Sequence, residues 1–142
     1  MTIATLIDNS LSDQTRIEAL YRGKLLKKAN VLTFADFTGT AEADIEDMFG
    51  TAFYLDLVNA EYSKQLEAPI DARTLGTKPP RVLKRLDAYF EKHPLKEGRF
   101  THFRPARYFN ENLNRLSKSV PSETKVRFQA AFDALNQLLP TL

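Results

Sequence analysis

Residues 2–36 read TIATLIDNSLSDQTRIEALYRGKLLKKANVLTFAD, two short apolar runs separated by a helix-patterned segment. From Thr2 to Asp8 the chain is nearly continuous in Ile3, Ala4, Leu6 and Ile7, the pattern of a short buried strand. Asn9, Ser10, Leu11 and Ser12 read as a turn. Ser12 is the predicted helix N-cap, and Asp13 suits the positive end of the helix dipole. The helix is predicted to run to about Lys28. Ile17, Leu20, Tyr21 and Leu25 lie on one face, and Lys27 and Lys28 fall in the last turn, where cations are favoured. Asn30 ends it, and Val31–Ala35 is predicted as a second buried strand. Two apolar strands flanking one helix favour a right-handed parallel crossover, a β-α-β unit.

Outward from this unit the chain becomes helical. Phe37–Ala43, containing Gly39, reads as a loop, and Asp44–Phe49 as a short acidic helix or turn. Thr51–Tyr62 is a predicted helix with Phe53, Tyr54, Leu57 and Val58 on one side. Residues 63–80 contain Pro69, Gly76, Pro79 and Pro80 and are predicted as a connection, a subdomain boundary or mobile loop. Arg81–His93 is the next predicted helix, with Val82, Leu83, Leu86, Tyr89 and Phe90 inward and Pro94 as its stop. Pro105 suits the first turn of a helix running to about Lys118. Pro121 and Ser122 open a last helix with the apolar face Val126, Phe128, Ala131, Phe132, Leu135, Leu138 and Leu139. The expected organisation is an α/β region over 1–62, a connecting loop over 63–80 and a helical subdomain over 81–142.

With 142 residues, 43% of them hydrophobic and 27% charged, the composition is that of an ordinary globular domain with a sizeable core. The absence of cysteine excludes disulfides and cysteine-based zinc sites. No apolar run approaches the roughly 20 residues that span a bilayer, and the N-terminus lacks the basic and apolar regions of a signal peptide. The expected location is the cytoplasm, with no membrane partner. The net charge is only +2, but it is segregated. Asp36–Asp71 holds nine acids against the single base Lys64, a net of −8; Arg81–Arg127 holds twelve bases against five acids, a net of +7. Such asymmetry suits a basic face for phosphates and an acidic region for cations or a basic partner. It equally suits two segments that attract each other within the fold.

Two groups of residues could carry chemistry. Asp8 ends the first strand and Asp36 follows the second. In a parallel unit both ends lie at the sheet edge where α/β proteins place their sites. Glu42, Asp44, Glu46 and Asp47 follow in the next loop and turn. Converging carboxylates repel unless a divalent cation sits among them, and Mg²⁺ or Mn²⁺ with oxygen ligands suits phosphodiester chemistry. In the alternative reading, Asp8 caps a turn and the other acids are a solvated surface. The second group is KEGRFTHFRPAR, residues 96–107, where Lys96, Arg99, Arg104 and Arg107 alternate with Phe100 and Phe103. Arginines grip phosphate and aromatic rings stack on bases, so this stretch is a candidate DNA contact. It could instead anchor the core, with phenylalanines inward and arginines paired with the acidic segment. His93 and His102 stand at no zinc-ligand spacing and read as surface or structural residues. No GxxxxGK[ST], GxGxxG or GxSxG motif occurs, so no ATP site of the Walker type is expected in this chain.

Several stretches, taken in order, resemble the back half of a Toprim domain and the helical tail behind it, as found in the ATPase-linked OLD (overcoming lysogenisation defect) endonucleases. They are ATLIDNSLSDQTRIEALYRGKLL, NVLTFADFTG, EADIEDMFG followed by TAFYLDLVNAEY, and FRPARYFNENL with ETKVRFQAAFDALNQLL. The resemblance covers most of the chain. It implies a partial Toprim-like β-α-β unit followed by a mainly helical C-terminal region. It places Asp8 at the first aspartate of the family's DxD motif, whose second position here is Ser10. Glu46, in IED, matches a downstream acidic position that helps hold metal, with Asp47 a neighbouring candidate and Asp36 a further one. The family's glutamate on an earlier strand has no counterpart here, nor has its ATPase module. Members of the family dimerise through the ATPase and cut DNA with two metal ions, often in phage defence. The resemblance therefore implies a metal-dependent DNA hydrolase segment, not active by itself, that pairs with an N-terminal ATPase/Toprim region, a partner chain or another copy of itself. The alternatives are a DNA- or partner-binding module without chemistry, and a capping or dimerisation domain with Phe128, Phe132 and Leu135 in a shared interface.

Overall fold

The computed structural model describes residues 3–8, 11–24 and 27–139. The chain is mixed α/β, with one small parallel sheet and a mainly helical remainder, as expected. Strand β1 (Thr5–Ile7) and strand β2 (Val31–Thr33) flank helix α1 (Leu11–Arg22). They pair in parallel with Thr5 opposite Val31, Leu6 opposite Leu32 and Ile7 opposite Thr33. Beyond the last pair, Phe34 N–H donates to the Ile7 carbonyl at 3.1 Å. Before the first, the Asn30 side chain donates to the Ile3 carbonyl at 3.1 Å.

Three expectations for this unit are corrected. Both strands are shorter than the apolar runs, and every residue in them is half-buried rather than buried. The second strand stops at Thr33 because Phe34 is already in helical conformation, leading into the short helix α2 (Ala35–Thr38). One Asp36 carboxylate oxygen folds back to accept from Thr33 N–H at 2.8 Å and from the Thr33 hydroxyl at 3.2 Å, which fixes that turn. Helix α1 begins at Leu11, so Ser12 lies inside it rather than at its cap. It ends at Arg22, six residues early, because Lys24 adopts a left-handed backbone (φ 55°). Lys27 is extended and Lys28 sits in a separate 3-10 turn, so neither lysine lies in the helix. Thr2, Asn9, Ser10 and Leu25 lie outside the described residues.

The acidic segment forms a 3-10 turn at Ile45–Phe49, closed by a reciprocal capping box between Asp44 and Asp47. Gly50, at φ 79°, links it to helix α3 (Thr51–Glu61). α3 buries Phe53, Tyr54, Leu55, Leu57 and Val58, residues on nearly every side, so it is the central helix of the core. The segment 63–80 contains helix α4 (Ala72–Leu75) and supplies Ile70 and Leu75 to the same core cluster. The Asn59 side chain pins it, accepting from Ile70 N–H at 2.7 Å and donating to the Ile70 carbonyl at 3.0 Å. Helix α5 (Val82–Lys92) packs Val82 and Leu86 into the cluster.

The single helix expected from Pro105 to Lys118 is two. α6 (Phe103–Glu111) starts two residues before Pro105, whose missing N–H is harmless in a first turn. The chain then breaks at Asn112, and α7 (Leu113–Leu116) and a 3-10 turn at Ser117–Ser119 follow. The last helix, α8 (Ser122–Leu138), turns part of the expected face inward, with Thr124 added to it and Val126 and Phe132 left out. Thr124 and Ala131 are fully buried and Phe128 is half-buried, whereas Val126 and Phe132 are 68% and 56% exposed. A smaller cluster of Phe34, Ala43, Met48 and Ala131 joins α8 to the β-α-β unit. Phe49 bridges the two clusters, with its ring 5.7 Å from Phe109 and 5.4 Å from Phe128 in edge-on contacts.

Candidate functional site

The parallel pairing brings the ends of β1 and β2 to one edge, and the acidic turn packs there. Asp8 Oδ1 accepts from Ile45 N–H at 3.2 Å, so the aspartate ending the first strand caps the head of the 3-10 turn. Asp8 and Asp36 are exposed at this edge. The acids that follow are not a solvated surface. Glu42, Asp44 and Glu46 are 6%, 2% and 9% exposed.

Their partners come from the basic half of the chain. Asp44 Oδ2 accepts from Arg81 Nε at 2.8 Å, and Oδ1 lies 2.6 Å from Arg81 Nη2. That contact raises the guanidinium pKa above its ordinary value. Glu42 meets Lys84 Nζ at 3.4 Å. Asp47 accepts from Asp44 N–H and, 35 residues away, from Val82 N–H, both at 2.8 Å. It thus caps the acidic turn and α5 together. Glu46 Oε1 lies 3.1 Å from His102 Nδ1. Burial raises the Glu46 and Asp47 pKa values despite these hydrogen bonds.

The basic stretch divides in two. Phe100 points inward and stacks on Phe90, with centroids 5.0 Å apart. Arg104 Nε donates to Glu61 at 2.7 Å while its guanidinium lies over the Tyr62 ring, 4.5 Å from the centroid. Arg107 approaches Glu61 at 3.6 Å and Glu111 at 3.8 Å. Lys96 and Arg99 are exposed, with no ion pair among the described residues. Arg99 borders a cavity of about 390 Å³ with Asp87, His102 and Phe103, the last 65% exposed.

Three side chains that the sequence reading passed over hold this region together. They are Arg81, Arg85 and Arg127. Arg85 stands at the inward spacing of Val82, Leu86 and Tyr89 on α5, and an arginine on an apolar stripe is the signal that could have found it. Arg127 stands between Thr124 and Ala131 on the true buried stripe of α8, a stripe its more apolar neighbours conceal.

Among the described residues, two of the candidate metal ligands are engaged by other partners. Both Asp47 oxygens are taken by backbone N–H groups, and Glu46 is engaged by His102. Among the described residues no group of three or more histidine or carboxylate side chains converges on one point. Ser10, which the resemblance places at the second DxD position, lies outside them. No helix among the described residues is long and apolar enough to cross a membrane. Comparison of the chain with models of known protein families, with curated proteins and with solved structures finds no match.

Proposed function

We propose that this chain is the C-terminal segment of a metal-dependent Toprim-type DNA nuclease of the OLD class, and that alone it is a docking unit rather than a catalyst. The observation that carries this reading is the two-stranded parallel sheet. Parallel sheets are normally covered on both faces, and two strands are too few to stand alone in water. Here β1 and β2 pair in parallel and are half-buried throughout, and Asp8, just past β1, holds the head of the acidic turn. This is the construction expected of an edge completed by further strands. Those strands would bring the missing carboxylate to Asp8, with Asp36 and Glu46 nearby.

The test is to supply them. The front half of a Toprim domain from an OLD-type nuclease is fused ahead of this chain, and nicking of supercoiled plasmid is followed with Mn²⁺. Nicking by the fusion, absent from the isolated chain and lost with Asp8→Asn, is expected. A folded fusion that does not nick, or nicking indifferent to Asp8→Asn, would overturn the reading.

A second reading, a DNA-binding module without chemistry, is favoured by Arg99 and the exposed Phe103 around one cavity, with Lys96 exposed three residues before Arg99. It predicts salt-sensitive, metal-independent DNA binding weakened by charge reversal at Lys96 and Arg99. Reversal at Arg104 and Arg107 would instead disturb the contacts to Glu61.

A further inference from the structure

Arg85 is 6% exposed, and the acceptors around its guanidinium are neutral. Nη1 donates to the Gly76 carbonyl at 2.6 Å; Nη2 donates to Thr51 Oγ1 at 3.0 Å and to the Pro80 carbonyl at 3.2 Å. Nε has no partner. Asp47 is the nearby negative charge, but its two oxygens already accept from backbone N–H groups. A buried cation with no carboxylate in contact is costly unless an anion is brought to it.

A cavity of about 290 Å³ lies against this guanidinium. Arg127, the hydroxyl-bearing Thr38, Thr40, Thr51 and Thr77, and Asp47, whose two oxygens are already taken by backbone N–H groups, line it as well. Helix α3 begins at its wall. Gly50 is the N-cap and supplies no side-chain acceptor, so the first-turn N–H groups of an 11-residue helix are left for another acceptor. A Cβ at Gly50 would lie 3.8 Å from Arg127 Nη1, an ordinary contact, so the second guanidinium stands beside the helix start, while the φ of 79° is what calls for glycine there. Arg127 Nη1 is itself anchored on the Met48 carbonyl at 3.2 Å. Two guanidinium groups, several hydroxyls and a helix N-terminus present donors from several directions, the arrangement that tetrahedral oxyanions select.

We propose that this cavity, between α3, α5 and α8, is a binding site for a phosphate group, held by Arg85, Arg127 and the first-turn amides of α3. The inference is independent of the nuclease reading. The phosphate could be free phosphate, or the phosphodiester of a nucleic-acid strand, and the two sources share the chemistry described.

The experiment is titration of inorganic phosphate into the full chain, with chloride at matched ionic strength as control, followed by amide ¹H–¹⁵N shifts. A second titration uses a short single-stranded oligonucleotide. Saturable shifts at Gly50–Phe53 and Thr38–Thr40 are expected. Arg127→Gln, at a half-exposed position, should weaken binding about tenfold or more, the scale of a lost charge-assisted hydrogen bond. Lys125→Gln, on the exposed side of the same helix, should leave it unchanged. Saturation by phosphate assigns a free-phosphate site; saturation by the oligonucleotide alone at the same amides assigns a phosphodiester. Non-saturating shifts with both ligands, or binding indifferent to Arg127→Gln, would overturn the proposal.

Discussion

Tyr54 and Glu46 show what burial does to single polar groups in this protein. The Tyr54 hydroxyl is enclosed in the core without a hydrogen-bond partner, and burial drives its pKa upward, so it stays neutral. Deleting it should remove a desolvation penalty. Tyr54→Phe is expected to raise stability by about 1 kcal/mol, read as a higher Tm; a lower Tm would mean that the hydroxyl has a partner. Glu46 carries the opposite polarity. Its folded pKa is raised chiefly by burial above the ordinary 4.5, with His102 opposing the shift. A raised carboxylate stabilises the fold fully below the ordinary value, and that contribution is lost as pH rises through the folded value. Glu46→Gln should therefore match the parent at acid pH and become the more stable protein as pH increases, measured as urea midpoints. The opposite divergence would show that the His102 contact dominates. Neither behaviour was legible in the sequence. Acids in a loop read locally as solvated, and the residues that bury Glu42, Asp44 and Glu46 come from far along the chain.

At the scale of elements, periodicity found each major helix but not always its buried face. The apolar residues of α8 suggested Val126 and Phe132 as core beside Phe128 and Ala131; Ala131 is buried as expected, but Val126 and Phe132 face outward and Thr124 is buried in their place. The Thr124 hydroxyl donates to the Phe49 carbonyl at 3.0 Å, a contact hydropathy does not register. Small residues allow α8 to approach α2 and the acidic turn closely. Ala131→Leu should accordingly cost about 1–3 kcal/mol through overpacking. Phe132→Ser should stay within about 0.5 kcal/mol of the parent. Chemical denaturation of both variants checks the assignment, and reversed magnitudes would return the helix to the face its hydropathy suggests. The strands were legible in type and pairing but not in length. An apolar run marks a strand, but it does not reveal where a turn such as Phe34–Thr38, fixed by the Asp36 side chain, cuts it short.

Across the whole molecule the charge segregation resolves in part into internal pairing. Glu42, Asp44, Glu46 and Glu61 each meet a partner from the basic half, and this cross-bracing ties the acidic turn to α5 and α6. The alternative of mutual attraction thus describes part of the asymmetry, while Lys96 and Arg99 remain directed outward. The helical body has a continuous core from Phe53 to Leu95, whereas the sheet is a two-stranded appendage lying against α8. Stability should therefore be uneven, highest in α3 and α5 and lowest in β1 and β2. If the sheet is unfinished, its strands should open far more often than the core while the rest of the chain stays folded. Amide hydrogen exchange on the dilute full chain measures this directly. Exchange at Thr5–Ile7 and Val31–Phe34 that is orders of magnitude faster than at Phe53–Val58 and Leu86–Phe90 is the expected result. Equal, slow exchange in all four segments would contradict the account, because the two strands would then be as complete as the core that carries them.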